Sequence, residues 1–190
     1  MKNNILITGV GGQGIVLTSK LIAATAMEKD IPVMSAETIG MAQKGGSVFS
    51  FLRLGEGLYC PMFARKSADI IIGFEPAEAV RMLPYLRDGG KVIVNTHPIM
   101  PVTATLKGSD YTGEEMLACL ERNVGELIKI DGERACEEVG SPRALNMIML
   151  GAAVRLGVLP FGVEDVTETM KKTVKPQFVE MNTRALQYNK

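Results

Sequence analysis

The chain has 190 residues, 46% of them hydrophobic, and its 21 basic residues balance its 21 acidic residues, giving a formal net charge of zero. This length and composition allow one substantial hydrophobic core, so we predict a single domain over residues 1–190. The lack of a basic excess argues against nucleic-acid binding, and no apolar run approaches the roughly 20 residues that a bilayer requires. We therefore predict neither a nucleic-acid nor a membrane partner.

The cysteine pattern argues against a metal centre or a disulfide framework. The three cysteines are widely spaced at Cys60, Cys119 and Cys136, with no C-x-x-C pair. Such spacing is typical neither of disulfide-rich domains nor of zinc or iron–sulfur sites. The first predicted strand also begins too early for a signal peptide. We expect a cytoplasmic protein with no metal ligands of its own.

The chain is organised around its first predicted strand, turn and helix. Residues 5–7 are an apolar run typical of a buried strand, and apolar periodicity predicts a helix over residues 15–27. The turn between them, with its G-x-G-x-x-G spacing, contains Gly9, Gly11, Gly12, Gln13 and Gly14. Two interpretations stay open: the helix N-terminus binds an anion, or the glycines only allow close packing. The Gln13 amide is expected to bond a ligand or a facing loop.

A second glycine-bearing loop follows a predicted strand over residues 31–36. Glu37, at the carboxyl end of that strand, either contacts a ribose, as in dinucleotide-binding folds, or anchors the loop. The other candidate residues of the loop are Thr38, Gln43, Lys44, Gly45 and Gly46. Lys44 supplies a cation, and the paired glycines permit close backbone approach. We predict a ligand or interface loop, the alternative being a turn with a solvated lysine.

The rest of the chain alternates between strand and helix patterns. Strands are predicted over residues 48–54, 67–73, 91–95 and 124–131, and helices after Pro76, over 113–122, 142–157 and 163–173, and after Pro176. A turn is predicted at residues 88–90, and residues 55–61 are expected to begin a hairpin or an edge excursion. This order predicts an α/β fold: a Rossmann-like open sheet, mostly parallel, with helices on both faces.

Two polar residues stand out in this second part. His97, the only histidine, follows a predicted strand, and no cysteine, serine or carboxylate lies near it at motif spacing. We therefore interpret it as a loop residue rather than an acid or base. Asn146 lies in an otherwise apolar helix, where a buried amide either bonds a neighbouring loop or lines a site.

Three segments together resemble the gamma-type domain of 2-oxoacid:ferredoxin oxidoreductases: Gly9–Gly14, Ala36–Gly46 and Asn146–Ala152. The resemblance covers nearly the whole chain. Within that family the chain is most similar to the stand-alone small (beta) subunits of the indolepyruvate-specific enzymes.

The resemblance implies a non-autonomous subunit of an enzyme that oxidatively decarboxylates a 2-oxoacid, indolepyruvate or another aryl pyruvate, to an acyl-CoA and passes electrons to ferredoxin. It further implies a hetero-oligomer in which a large catalytic subunit carries thiamine diphosphate, magnesium and iron–sulfur clusters, with coenzyme A as co-substrate. Because this chain has no clustered cysteines and no thiamine-binding pattern, we assign it no catalytic residue and no cofactor of its own. Its glycine loops are expected to complete the partner's active-site wall and to offer N–H groups to coenzyme A.

Two alternatives stay open. One is an independent NAD-dependent Rossmann oxidoreductase, with Gly9, Gly11 and Gly14 on the pyrophosphate and Glu37 on a ribose, although no Tyr-x-x-x-Lys motif is evident. The other is a noncatalytic assembly scaffold whose glycine loops serve only contacts with another chain. Pyruvate and branched-chain 2-oxoacids also stay open as substrates.

Overall fold

The computed structural model describes residues 2–38, 45–100 and 111–189. The strands are β1 (Asn3–Val10), β2 (Val33–Glu37), β3 (Ser47–Leu54), β4 (Ala68–Gly73), β5 (Leu86–Asn95) and β6 (Glu126–Ile130). The helices are α1 (Ile15–Glu28), α2 (Pro76–Met82), α3 (Glu114–Asn123), α4 (Gly132–Val139), α5 (Leu145–Arg155), α6 (Val163–Thr173) and α7 (Val179–Gln187). Short 3-10 helices cover Leu83–Tyr85 and Pro176–Phe178.

The six strands form one sheet in the order β2-β3-β1-β4-β5-β6. Strands β1, β4, β5 and β6 pair in parallel, whereas β3 runs antiparallel to both of its neighbours, β1 and β2. The chain leaves β1 toward β2 on one side and later returns to β4 on the other. The carboxyl ends of β1 and β4 therefore form the topological switch point, where open α/β sheets bind ligands.

Helices cover the sheet on both faces because the central strands are apolar on both sides. Residues 5–7 of β1 and 70–72 of β4 are fully buried. On one face, alternate residues such as Ile5, Ile7 and Ile72 pack under α1 and α4–α7. On the other face, residues such as Leu6 and Ile71 pack under α2 and α3. The predicted fold class, a mostly parallel open sheet with helices on both faces, is confirmed.

The structure differs from the sequence-based expectations at four places. The prediction of a turn at residues 88–90 is wrong, because these residues belong to β5, which begins at Leu86. A register shift in the pairing of β5 with β4, between Ala68 and Ile70, accommodates the additional residues of β5. Helix α4 was not predicted; Asp131 starts it by accepting the Arg134 N–H. The helix expected over 142–157 begins later, at Leu145. Of the hairpin and the edge excursion expected from residue 55 onward, the hairpin is wrong, because residues 55–67 form an irregular connection.

The lengths of the described helices bear on membrane spanning, and the positions of the cysteines bear on metal binding. No helix in the described part of the chain has the length and apolarity needed to cross a membrane. All three cysteines are free, and they differ in environment: Cys60 is exposed, Cys119 half-buried and Cys136 buried. The described His, Cys, Asp and Glu side chains include no group of three that could share a metal ion.

Candidate functional site

Gln13 closes the turn between β1 and α1. Its Oε1 accepts the Val10 N–H at 2.7 Å, and its Nε2 donates to the Phe74 carbonyl at 2.8 Å. The side chain therefore ties the carboxyl end of β1 to that of β4. Of the two partners expected for Gln13, the facing loop is the one it contacts.

The glycines of this turn serve different purposes. A side chain at Gly9 would lie 2.7 Å from both Phe74 Cβ and Gln13 Oε1, so close packing explains that glycine. Gly14 caps α1 in the left-handed region, with φ of 90°, and no side chain accepts a hydrogen bond there. The first-turn N–H groups of α1 consequently have no partner within the helix or from a capping side chain. Among the described residues, no side chain caps these N–H groups.

The second glycine loop meets the first at the same end of the sheet. The Gly11 N–H donates to the Gly46 carbonyl at 2.8 Å, and the Gly45 N–H to the Gly11 carbonyl at 3.4 Å. These bonds continue the antiparallel pairing of β1 with β3, in which Val10 lies opposite Ser47. The N–H groups of Gly11 and Gly45 are thus already engaged with the protein.

Thr38 anchors the start of the same loop beside β3. Its N–H and its hydroxyl both donate to the Phe49 carbonyl, and the hydroxyl accepts the Phe49 N–H. Glu37 is the last residue of β2, which β3 separates from β1. Two strand spacings, roughly 10 Å, therefore separate Glu37 from the strand that leads to α1, which argues against a shared dinucleotide. Gln43 and Lys44 lie outside the described residues.

A cavity of about 830 Å³ opens on the other side of the β1–α1 turn. It lies on the face that carries α1, α4 and α5, and the segments after β5 and between α4 and α5 complete its walls. Four of the predicted site residues line it: Gly12, Gln13, Gly14 and Asn146. Its volume falls within the range of small-molecule pockets.

Asn146 lies in the first turn of α5, directly against the cap of α1. It is only 6% exposed, and its Cβ and Nδ2 lie 2.9 and 3.1 Å from where a Cβ on Gly14 would be. Within the described residues the Asn146 amide makes no hydrogen bond, although it lines the cavity. The amide atoms are not among the fully buried unpaired atoms of the described residues, so the Asn146 amide faces the open cavity.

Asn95 fixes the wall of the cavity after β5. It is 2% exposed; its Nδ2 donates to the Phe74 carbonyl at 3.0 Å, and its Oδ1 accepts the N–H groups of Gly132 and His97. A side chain at Gly132 would lie 2.4 Å from Asn95 Oδ1, so α4 can begin this close to β5 only with glycine there. Asn95 therefore holds the ends of β4, β5 and β6 in register around the cavity.

His97 does lie in a loop, but it has a carboxylate partner that the sequence did not reveal. Its Nδ1 lies 3.3 Å from Oε2 of Glu133, the second residue of α4, and both side chains are more than half exposed. The pair spans two walls of the cavity. The partner was missed because it is distant in sequence and α4 was not predicted.

Two further residues give the cavity its chemistry. Arg143 lines it, and within the described part of the chain its guanidinium makes no ion pair or hydrogen bond. Cys136 also lines it; burial raises the pKa of this thiol, while the backbone N–H groups of Ala144 and Leu145 oppose that shift in part. The thiol is therefore kept in its neutral form, which makes it a wall group rather than a nucleophile.

A buried acidic network supports the second glycine loop. The Tyr111 hydroxyl donates to Glu75 Oε1 at 2.6 Å, and the other Glu75 oxygen accepts the Glu78 N–H at the start of α2. Burial, reinforced by the Glu75 carboxylate, raises the pKa of Tyr111. The Ser47 hydroxyl donates to Glu78 at 2.6 Å, which holds the first residue of β3 against α2.

Comparison with known proteins identifies the family. Residues 4–188 match the family model described as pyruvate ferredoxin/flavodoxin oxidoreductase. The chain belongs to this family. The indolepyruvate oxidoreductase subunit IorB of Archaeoglobus fulgidus is 37% identical over 187 residues, which cover 98% of this chain and 92% of that protein. The expected family is confirmed, as is the expected class of function, a subunit of an oxidoreductase.

Two solved ferredoxin oxidoreductase structures share this fold. The keto/oxoacid ferredoxin oxidoreductase gamma subunit of Geobacter sulfurreducens aligns with a TM-score of 0.71 and 23% identity, over 98% of this chain and 93% of that one. The 2-oxoglutarate:ferredoxin oxidoreductase of Magnetococcus marinus, solved with 2-oxoglutarate, coenzyme A and succinyl-CoA bound, aligns with a TM-score of 0.73 and 20% identity, over 98% of this chain and 30% of that one. At these identities the likeness establishes the fold.

In this family member the predicted site residues form two groups on opposite sides of the β1–α1 turn. One group, Gly11 with Gly45 and Gly46, lies toward β3. The other, Gly12–Gly14 with Asn146, lines the cavity. Sequence reasoning missed Asn95, Glu133 and Arg143. For Arg143, the sequence offered one indication of a site residue: it follows Pro142 and lies just before the Asn146–Ala152 segment.

Proposed function

We propose that this chain is the small subunit of a 2-oxoacid:ferredoxin oxidoreductase that converts an aryl 2-oxoacid such as indolepyruvate, oxidatively and with loss of carbon dioxide, to an acyl-CoA. The observation that carries the proposal is the 37% identity to the A. fulgidus indolepyruvate oxidoreductase subunit IorB over nearly the full length of both chains. Its free cysteines are compatible with a cytoplasmic location.

The catalytic cofactors are proposed to reside on a larger partner subunit. Iron–sulfur clusters need several cysteine thiolates at one point, whereas Cys60 is on an exposed loop, Cys119 on α3 and Cys136 buried on α4. These residues do not fit a cluster. The described residues likewise include no group of carboxylates and other ligands that would hold the magnesium of thiamine diphosphate. We therefore propose a hetero-oligomer with a thiamine- and cluster-binding subunit, through which ferredoxin would be reached.

The role proposed for this chain is to present its two glycine loops to the partner's active site and to the anionic groups of coenzyme A. The contact of Gly11 with Gly46 supports a common rim formed by both loops. Because Gly11 and Gly45 already donate their N–H groups within the protein, we assign the principal anion contact to Lys44, with its charge, rather than to those glycines.

Reconstitution tests the proposal. The chain is produced with and without a thiamine- and cluster-binding large subunit of this enzyme class, and 2-oxoacid-dependent, coenzyme A-dependent reduction of ferredoxin is measured. We expect activity only with both subunits. Lys44→Gln should raise the KM for coenzyme A about tenfold and leave the KM for the 2-oxoacid unchanged. Lys66→Gln is the matched control, because Lys66 precedes β4 at the opposite end of the sheet.

Three outcomes would contradict this assignment in different ways. Full activity of the large subunit alone would remove the small subunit from the reaction. Normal coenzyme A kinetics in Lys44→Gln, with assembly lost in glycine-loop variants, would favour the scaffold alternative. Saturable, tight binding of NADH to the isolated chain would favour an independent oxidoreductase.

A further inference from the structure

The start of α2 buries two carboxylates at the end of the sheet that carries the glycine loops. Glu75 is 1% exposed and Glu78 is 7% exposed. One oxygen of Glu75 accepts the Tyr111 hydroxyl at 2.6 Å, and the other accepts the Glu78 N–H at 3.0 Å. These bonds hold the Glu75 side chain in place, because a buried carboxylate is stable only where its oxygens are paired. Glu75 therefore fixes the start of α2, and with it the position from which the Glu78 side chain extends.

The Glu78 carboxylate reaches from α2 to the second glycine loop. Its Oε2 accepts the Ser47 hydroxyl at 2.6 Å, and the Arg81 Nε lies 3.3 Å from the same oxygen. Ser47 is the first residue of β3 and directly follows Gly45 and Gly46. Hydrogen bonds to a charged acceptor are roughly twice as strong as those between neutral groups. A strong side-chain contact thus joins α2 to the point where the loop enters the sheet.

The apolar packing of β3 stops short of its first residue. Residues 47, 49 and 51 share one face of the sheet, because side chains alternate along a strand. Phe51 is buried in the apolar cluster under α2 and α3, and Phe49 packs against that cluster, whereas Ser47 is exposed. Backbone hydrogen bonds of Gly45 and Gly46 with Gly11 hold the end of the loop to the β1–α1 turn. The Ser47 hydroxyl adds the link to α2.

We propose that the hydrogen bond between Glu78 and Ser47 positions Lys44, three residues before Ser47 in the sequence, for its contact with the anionic groups of coenzyme A. The inference rests on the proposed function, which assigns that contact to Lys44. In this role Glu78 and Ser47 are positioning residues, which act through Lys44 rather than on a reacting group. Because they fix the point where the loop joins β3, their loss weakens the binding of coenzyme A and leaves the chemical step unchanged.

Steady-state kinetics of the assembled complex test this role, with the KM for coenzyme A, the KM for the 2-oxoacid and kcat measured separately. Ser47→Ala removes the hydroxyl and should raise the KM for coenzyme A about fivefold, with the other two constants unchanged. Ser47→Thr keeps a hydroxyl at an exposed strand position and should bring that KM to within about twofold of the parent value. Glu78→Ala should match Ser47→Ala, because either change removes the same hydrogen bond.

A double variant separates positioning from stability. In the Lys44→Gln background, Ser47→Ala should cause no further rise in the KM for coenzyme A, because the contact that it positions is already lost. A bond that served only stability would instead lower the amount of assembled complex, and with it the apparent kcat, without changing that KM. The control is Ser67→Ala, which should leave all three constants unchanged. Ser67 directly precedes β4 at the opposite end of the sheet, where its hydroxyl donates to the Arg65 carbonyl at 3.4 Å.

The inference alone is overturned if Lys44→Gln raises the KM for coenzyme A and Ser47→Ala, folded by circular dichroism and assembled, does not; the proposed function then stands. It is equally overturned if Ser47→Thr fails to restore the KM, or if Ser47→Ala raises it further in the Lys44→Gln background. If Lys44→Gln has no effect, the coenzyme A contact assigned to Lys44 fails, and the positioning role fails with it. Because Ser47 is exposed, its variants keep the test decisive even if Glu78→Ala does not fold.

Discussion

Replacing Gly151 by alanine tests the closest approach between two helices that support the candidate site. Gly151 lies within α5, and a Cβ there would be 2.1 Å from the Leu186 carbonyl oxygen and 2.9 Å from the Leu186 carbonyl carbon. Both are backbone atoms of α7, so no side-chain rotation can relieve the overlap. Helix α7 would have to retreat by roughly 1 Å to restore ordinary van der Waals separation.

The expected magnitude follows from opposing effects. Alanine favours the helical conformation over glycine by about 1 kcal/mol, which would stabilise α5. Displacing α7 breaks the bond at 2.7 Å from Arg155 to the Leu186 carbonyl, a charged hydrogen bond of about 1.5–3 kcal/mol. The displacement also disturbs the packing of the fully buried Ala185 and Leu186, which should lower the free energy of unfolding by about 1–3 kcal/mol. We expect a net destabilisation of about 2–4 kcal/mol.

Urea unfolding followed by circular dichroism measures this difference directly. For a chain of this length, the same change should lower the melting temperature by roughly 5–15 °C. The control is Ala152→Gly, which replaces alanine by glycine at the next position of α5. It measures the helix-propensity effect and should lower the free energy of unfolding by about 1 kcal/mol. If Gly151→Ala were instead stabilising by about 1 kcal/mol, propensity alone would govern this position and the close helix contact would be refuted.

Two further predictions concern titratable groups. Because burial raises the pKa of Cys136, iodoacetamide at pH 8 should alkylate the exposed Cys60 at least tenfold faster, as mass spectrometry of proteolytic peptides would show; equal rates would contradict a buried neutral thiol. The Lys29 ammonium, at 2.8 Å, lowers the pKa of Asp165, so this pair stabilises the fold above the unfolded carboxyl pKa and loses that effect as pH falls through the folded value. The stability difference between the parent chain and Asp165→Asn, measured by urea unfolding from pH 3 to 7, should shrink toward acid pH, and a constant difference would exclude this linkage.

The fold elements best predicted from the sequence are those whose signals are local. The apolar runs of β1 and β4 and the glycine turn before α1 lie within a few residues of the structure they specify. The position of β3 between β2 and β1 is not encoded locally, because strand pairing depends on residues far apart in the chain. Residues 88–90 show the same dependence: their Asp-Gly-Gly sequence favours a turn, but the pairing of Leu86 with Ala68 and of Lys91 with Ile70 places them in a register shift within β5.

The candidate site was predictable only where its residues belong to recognisable motifs. Gly12–Gly14 and Asn146 were identified, whereas Glu133 and Arg143 belong to ordinary polar sequence around a helix that was not predicted. Their importance arises from the packing of α4 and α5 beside the β1–α1 turn. Asn95 illustrates the limit: its three hydrogen bonds join segments that have no sequence relationship to one another.

The contact between Gly14 and Asn146 explains how two distant segments act as one structural unit. Gly14 needs its positive φ to begin α1, and Asn146 occupies the space that a side chain on Gly14 would fill. Further along the same helix, Gly151 lets α7 pack close enough to hold α5 in place. One end of α5 is therefore fixed by packing against α7, and its other end places the Asn146 amide against the cap of α1. The Asn146–Ala152 segment thus combines a packing requirement at Gly151 with a cavity-lining amide at Asn146.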